Sequence, residues 1–152
     1  MAQAKVNARD LIVEVLDDDD TTWHRIENLK NATRNPGENE AVAETTDFDS
    51  EGAYEEEVMQ RGSSLTLVGD EMEDDATGAV PVGRARIEAL AGEDALGSDS
   101  VGKIRFRYPT HTNWKVWNCT VRLTGTGGDT NVKSAWGATI RKCGKTTLVA
   151  VS

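Results

Sequence analysis

Two segments in the C-terminal half of the chain alternate apolar and polar residues with a period of two. In residues 101–108 the large apolar side chains of Ile104, Phe106 and Tyr108 alternate with the basic side chains of Lys103, Arg105 and Arg107. Residues 113–124 place Trp117, Cys119, Val121 and Leu123 at alternate positions. Side chains of a β-strand point alternately to its two faces. Both segments are therefore predicted to be strands with one face in the core.

The same reasoning predicts a mainly β protein. Further strands are indicated over residues 11–16, 21–29, 54–60, 64–68, 130–143 and 147–152. Only residues 81–91 have helical spacing, with Ile87, Leu90 and Ala91 on one stripe. We expect one domain spanning residues 1–152, a β-sandwich or small barrel of six to eight strands with one flanking helix.

Two segments are predicted to lie outside this core. Residues 1–8 are expected to form a flexible N-terminal arm. Residues 30–50 are expected to form a long polar loop, since they have Asn-Pro-Gly near their centre and little to bury. Loops of this length are uncommon in compact domains and often functional. We expect this one to be ordered by a neighbouring subunit.

The formal net charge of −9 is unevenly distributed along the chain. Residues 1–80 contain 21 acidic and 6 basic side chains, a net charge of −15, whereas residues 81–152 contain 5 acidic and 11 basic ones, a net charge of +6. Such a division indicates head-to-tail self-contact or opposite surfaces with different tasks. An acidic protein is a poor candidate for gripping nucleic acid, which requires clustered Lys and Arg.

Cys119 and Cys143 are the only cysteines. A single pair in a chain with no signal peptide favours two buried thiols in a reducing compartment over a disulfide or a zinc site. No apolar run approaches the length of a membrane span. We therefore expect a soluble protein that is not secreted by the usual route and has no membrane partner.

No catalytic, cofactor or metal site is predicted, and an enzyme is not expected. The spacing Asp47-x-Asp49-x-Glu51-Gly52 resembles half of a calcium loop, but its twelfth position is Val58, where a Glu is needed. The run Asp17–Asp20 is better explained as an exposed turn than as a calcium site. The two histidines, His24 and His111, have no acid or Cys at a metal-binding spacing.

The order of the features resembles one family. A Trp-bearing strand leads to a polar loop and then to TTDFDSEGAYEEEV and SSLTLVGDE. An Ala-rich helix, NWKVWNCTVRLTGTGGDTNV and a Trp-Gly-Ala strand follow. From about Thr21 to the C-terminus, this order is similar to that of the major tail tube protein of long-tailed, non-contractile bacteriophages.

The resemblance implies a β-sandwich with a flanking helix and no catalysis. Six copies would form a ring, and rings would stack into a virion tail tube assembled from protein made in the host cytoplasm. The implied partners are further copies of the chain, the tape measure protein, and the tail-tip and tail-terminator proteins. Double-stranded DNA would pass through without specific binding, and no cofactor is implied.

Three sets of site residues follow from combining this resemblance with the residue pattern. Acidic residues that would line the lumen and let DNA slide are Glu55, Glu57 and Glu27. Residues that would contact the neighbouring ring through the long loop are Arg34, Asn35, Pro36, Gly37, Asp47 and Asp49. A basic face between subunits would consist of Lys103, Arg105 and Arg107.

Two alternatives stay open. One is a non-catalytic β-sandwich that binds a ligand or decorates a virion, with Trp23, Trp114 or Trp136 stacking on the ligand. We favour core packing for these rings. The other is a ring-forming tube protein of a secretion apparatus. Concentration-dependent assembly separates the tube-forming proteins from the binding module.

Overall fold

The computed structural model describes residues 2–152, which form nine strands, one α-helix and three short 3-10 turns. The strands are β1 (Ile12–Leu16), β2 (Trp23–Arg25), β3 (Leu29–Asn35), β4 (Ala41–Glu44), β5 (Glu56–Gln60), β6 (Ser64–Asp70), β7 (Gly102–Arg107), β8 (Asn113–Leu123) and β9 (Ala135–Ala150). The helix is α1 (Val82–Leu90), and the 3-10 turns are Ala8–Asp10, Phe48–Ser50 and Gly97–Ser100. This architecture confirms the mainly β fold with a flanking helix.

Seven strands form one antiparallel sheet in the order β2-β1-β7-β8-β9-β6-β3, and β4 pairs with β5 in a separate hairpin. The two edge strands, β2 and β3, are consecutive in the chain, and only residues 26–28 connect them. Such a short connection requires the sheet to roll until its edges approach each other. Arg34 of β3 accordingly lies over the ring of Phe106 in β7, 5.9 Å from its centroid.

The core lies inside this roll. Most of the alternate residues predicted to face the core do so: Ile104 and Phe106 of β7 and Trp117 of β8 are buried there. The prediction is wrong for Leu123 at the end of β8, which is 38% exposed. The rings of Phe106 and Trp117 pack edge to face with centroids 5.0 Å apart. Strand β8 also contributes Cys119, and the other strands contribute Val13, Val15, Leu65, Leu67, Trp136, Ala138 and Ile140.

Helix α1 packs against one side of the sheet with Ile87 and Leu90 buried, as its predicted stripe requires. Gly83 permits the close approach, because a Cβ at that position would lie 2.5 Å from the carbonyl oxygen of Arg25. The helix and the link between β2 and β3 are therefore in backbone contact.

Arg84 of α1 joins three parts of the fold although its side chain is only 1% exposed. The guanidinium donates to the carbonyl oxygens of Asn28 (2.9 Å), Glu27 (3.2 Å) and Asp70. It also stacks 4.5 Å from the ring centroid of Trp136. Burial lowers the pKa of Arg84, whereas the charges of Asp70 and Glu88 raise it. An arginine keeps its proton under such conditions.

The prediction of a polar loop over all of residues 30–50 is wrong, because two strands lie in this range. The number of strands is therefore nine rather than six to eight. Residues 29–35 form edge strand β3, and residues 41–44 form β4. The polar sequence concealed β3 because this strand directs only Leu29 and Ala32 to the core. Edge strands need no continuous apolar face.

The predicted turn at Gly144 and Lys145 is also wrong, because β9 continues through it as one strand of 16 residues. Gly144 has a φ of +80°, and the register with β8 shifts between Val116 and Asn118. A glycine with positive φ inside a strand produces a bulge. The two predicted C-terminal strands are thus one long strand with a bulge at its centre.

The run Asp17–Asp20 is an exposed turn between β1 and β2, as predicted. Asp19 accepts hydrogen bonds from the backbone N–H groups of Thr21 and Thr22, and these bonds lower the pKa of its carboxyl. Residues 2–7 are exposed and precede the first 3-10 turn, and residue 1 lies outside the described part. The predicted flexibility of residues 1–8 stays a prediction.

We expect Arg84→Met to lower the free energy of unfolding by about 3 kcal/mol. The substitution removes the charged donor and leaves the buried backbone carbonyls that accept from it without a partner. Urea denaturation followed by circular dichroism measures this loss. The matched control is Arg122→Met at an exposed position of β8, which should change stability by less than about 0.5 kcal/mol. Equal losses in the two variants would contradict the role given to Arg84.

Candidate assembly interface

The most prominent feature outside the rolled sheet is a projecting hairpin, which we call the arm (residues 36–63). It consists of β4, β5 and the segment between them. Every residue of β5 is exposed. The arm nevertheless carries five exposed large apolar side chains, namely Val42, Phe48, Tyr54, Val58 and Met59. A two-stranded hairpin is at best marginally stable alone in water, so these side chains are suited to contact with another molecule.

The tip of the arm has a defined shape. Asp47 caps the 3-10 turn Phe48–Ser50 by accepting from the backbone N–H of Asp49 at 3.0 Å. The backbone N–H of Glu55 donates to Thr46 Oγ1 at 2.8 Å and closes the base of the tip. Phe48 projects from this turn and is fully exposed. The tip thus presents an aromatic ring between carboxylates on a backbone that these hydrogen bonds fix in place.

A second candidate surface is the outer half of β9. Residues 135–141 pair with β6 on one side, and β8 pairs along the other side as far as Ala150. Within residues 2–152, no strand pairs with the β6 side of β9 from Cys143 to Ala150. Leu148 and Val149 are 63% and 45% exposed there. Such an edge presents free backbone donors and acceptors to another chain.

The residues predicted to line a lumen are not brought together. Glu55 and Glu57 lie on the arm, and the Glu55 carboxylate accepts from Ser50 Oγ at 3.0 Å. Glu27 lies in the link between β2 and β3, at the end of β3 away from the arm. Its carbonyl oxygen is a partner of Arg84. A lumen role for these residues stays a prediction.

The residues predicted to contact a neighbouring ring fall into two groups. Arg34 and Asn35 belong to β3, within the sheet, and Pro36 and Gly37 begin the arm. Asp47 and Asp49 lie at the arm tip. The structure therefore places the first group at the base of the arm and the second at its far end.

The predicted basic face is largely occupied by its own chain. Arg105 Nε donates to Glu14 Oε1 at 2.7 Å, directly across the β1–β7 pair. Its guanidinium lies between the rings of Trp23 and Trp114, 4.3 and 4.2 Å from their centroids. Arg107 stacks on Trp114 at 4.8 Å.

Arg107 also donates to the carbonyl oxygen of Pro109 at 3.2 Å, whereas Lys103 is exposed. Trp114 and Trp136 are only 6% and 3% exposed. Core packing is therefore confirmed for Trp136, which belongs to the core cluster. Trp114 is instead buried beneath the guanidinium groups of Arg105 and Arg107, outside that cluster. Neither ring offers the open face that stacking on a ligand requires.

The part of the chain that the structure describes contains no further grouping that suggests chemistry. Among residues 2–152, no group of three or more His, Cys, Asp and Glu side chains could hold a metal ion. In the same part of the chain, no helix is long and apolar enough to cross a membrane. The features that sequence reasoning missed are the exposed Phe48 and the unpaired edge of β9. The only local signal for Phe48 was an aromatic residue between two acids.

Both cysteines are free thiols, but only one of the two is buried as predicted. Cys119 is fully buried on the core face, whereas Cys143 is half-buried. In the β8–β9 pair, Cys119 lies opposite Lys142 and Cys143 lies opposite Asn118. The two cysteines therefore occupy neighbouring pairs of the ladder. The two side chains therefore point to opposite faces of the sheet. Burial raises the pKa of the Cys119 thiol to about 12.

The fold is shared with chains of known tail and injection particles. No family model and no curated protein sequence match this chain. Among solved structures, the chain matches one in the "tail of empty GTA particle" refined with C6 symmetry, where GTA denotes a gene transfer agent. The match has a TM-score of 0.66 at 18% identity and covers 96% of this chain and 100% of that one.

Two further structures share the fold. One is a chain in the six-fold symmetrised baseplate of the anti-feeding prophage, with a TM-score of 0.59 at 9% identity over 99% of this chain and 98% of that one. The other belongs to the sheath–tube complex of an extracellular contractile injection system. That match has a TM-score of 0.55 at 14% identity and covers 97% of this chain and 93% of that one. At these identities the likeness establishes the fold.

The burial of Cys119 makes a labelling prediction. At pH 8 its thiol stays protonated, because its pKa is raised to about 12, and so it is a poor nucleophile. We expect iodoacetamide to modify Cys143 in the native protein and Cys119 only after unfolding, as followed by mass spectrometry. The variant Cys143→Ser should take up label only in denaturant. Equal rates at both native thiols would contradict the burial.

Proposed function

We propose that this chain is a structural protein that assembles into stacked hexameric rings forming the tube of a phage-like tail. The observation that carries the proposal is the arm, which holds five large apolar side chains away from the protein's own core. A fold shared over nearly the whole chain with proteins of six-fold symmetric particles supports it. No catalytic role is part of this proposal.

The unpaired half of β9 suits the formation of a ring. A neighbour that adds a strand to this edge would satisfy its backbone groups. Each subunit would offer the edge once and would meet it with a different surface, which is a heterologous contact. Contacts of this type close into rings when the rotation between subunits is a fraction of a full turn, such as one sixth.

The arm suits contact between a subunit and its neighbours, including the next ring. In this proposal the residues at its base and tip, Arg34–Gly37, Asp47 and Asp49, take part in that contact. The tube would be the conduit for DNA, and Glu55, Glu57 and Glu27 would repel its phosphates. The tape measure, tail-tip and tail-terminator proteins are partners that follow from the tail role.

The finer part of the proposal is a non-contractile tail. A second candidate is the tube of a contractile particle, which the likeness to the contractile injection system favours. Electron microscopy of particles carrying the chain separates the two. A bare tube agrees with the first candidate, and a tube enclosed in a sheath agrees with the second.

Purified protein examined by negative-stain electron microscopy over a concentration series tests the central proposal. We expect rings or hollow tubes wide enough for duplex DNA. If the protein does not assemble alone, tail-tip protein is added to nucleate assembly. A steady monomer even with such a seed would overturn the proposal.

The variant Leu148→Lys should raise the protein concentration needed for assembly by about tenfold or more, because it buries a charge at the β9 edge. The control is Val132→Lys at a position outside β9. The exposure of the two side chains is matched, at 61% for Val132 and 63% for Leu148. Analytical ultracentrifugation measures both variants. Equal behaviour would exclude this edge from the interface.

A further inference from the structure

A cavity of about 400 Å³ opens between edge strand β3 and strand β7, at the end of β3 from which the arm leaves. Its floor is apolar and includes Leu11, Leu65 and Phe106. Leu65 is fully buried and Phe106 is 4% exposed. The floor is part of the folded core, so the cavity is a preformed recess rather than a gap between loops.

The rim of this cavity is basic. Arg34, His111 and Lys115 contribute to it, and none of the residues that line the cavity is acidic. Arg34 stands over the ring of Phe106, which fixes one cation above the apolar floor. An apolar recess with such a rim is suited to an apolar or aromatic group flanked by carboxylates.

The arm tip has this chemistry. The chain has only two phenylalanines, of which Phe106 lies in the cavity floor and Phe48 projects from the tip. Asp47 and Asp49 flank Phe48, and Glu51 follows. The cap formed by Asp47 holds the turn, so little conformational freedom remains to be lost when the ring is buried.

The chain's own arm does not fill its own cavity. Phe48 is fully exposed. Phe48 lies seven residue steps beyond the start of β4. At about 3.3 Å per step this is on the order of 20 Å from the base of the arm. The base itself lies beside β9, where Val58 and Met59 share a surface recess with Lys142 and Lys145.

We propose that Phe48 of one subunit inserts into this cavity of a second copy, with Asp49 and Glu51 facing the basic rim. This inference rests on the proposed assembly and specifies its contact. Subunits of a ring present the same end in the same direction. The base of one arm and the cavity of the adjacent subunit therefore lie on the same end of the ring.

The test uses complementary charge reversals in the full-length chain. One variant reverses the tip (Asp49→Lys with Glu51→Lys), which leaves the Asp47 cap intact. The other reverses the rim (Arg34→Glu with Lys115→Glu). Each variant alone would place like charges together and should fail to assemble. In an equimolar mixture every interface can pair opposite charges if the subunits alternate, and assembly should return, as measured by ultracentrifugation and electron microscopy.

The controls separate this contact from others. A control variant, Asp18→Lys with Asp20→Lys, makes the same charge change at the exposed turn after β1. Mixed with the rim variant, it should not restore assembly. Phe48→Ala should raise the concentration for assembly by about tenfold or more, whereas Leu96→Ala, which removes another exposed apolar side chain, should not. Thermal unfolding of each variant confirms that the monomer is folded.

The outcomes distinguish this inference from the proposed function. Tubes formed equally well by wild type and Phe48→Ala would overturn the docking and leave the tube function standing. Rescue of the rim variant by the Asp18 and Asp20 reversals alone would assign the cavity to that turn instead.

If the wild type forms no assemblies, a peptide of residues 45–57 is titrated into the labelled full-length protein. Shifts of the His111 and Lys115 resonances that are lost with Ala in place of Phe48 in the peptide would support the docking, and no shifts would overturn it.

Discussion

The connection of β2 to β3 is the constraint on which the rest of the structure depends. Three residues, 26–28, join strands at opposite edges of a seven-stranded sheet. Four residue steps reach at most about 14 Å, so the sheet must roll until its edges nearly meet. Arg84 stabilises this closure, because its guanidinium donates to two carbonyls of the link and one at the end of β6. The enclosed core and the position of α1 follow from it.

The same closure explains which parts remain for other molecules. Once the roll is complete, the outer half of β9 extends beyond β6, and the arm extends beyond the ends of β3 and β6. Neither adds to the buried core cluster. The exposed apolar side chains of the arm are therefore unfavourable for the isolated chain, and burying them on assembly offsets that cost.

The sequence predicts well where one strand face meets the core. The alternation around Ile104 and Phe106 placed β7 correctly, and the stripe of Ile87 and Leu90 placed α1. Prediction failed where position in the sheet overrides local pattern. Edge strand β3 needs few apolar residues, and Gly144, which suggests a turn, forms a bulge within one strand. The cavity could not be predicted, because it joins Leu11, which precedes β1, to residues of β3, β6, β7, β8 and the loop after β7.

An unpaired strand edge also exposes a monomer to aggregation, and β9 contains features that limit this. Lys145 lies on the open segment and Lys142 directly precedes it, and the bulge at Gly144 interrupts the regular register of the strand. Charged side chains and bulges are the means by which edges avoid indiscriminate pairing. A partner strand must therefore match both a local bend and a pair of cations. An acidic strand of another copy meets the second condition and a foreign apolar strand does not. In the proposed assembly, the edge that takes up a neighbour would therefore also restrict pairing to the correct partner.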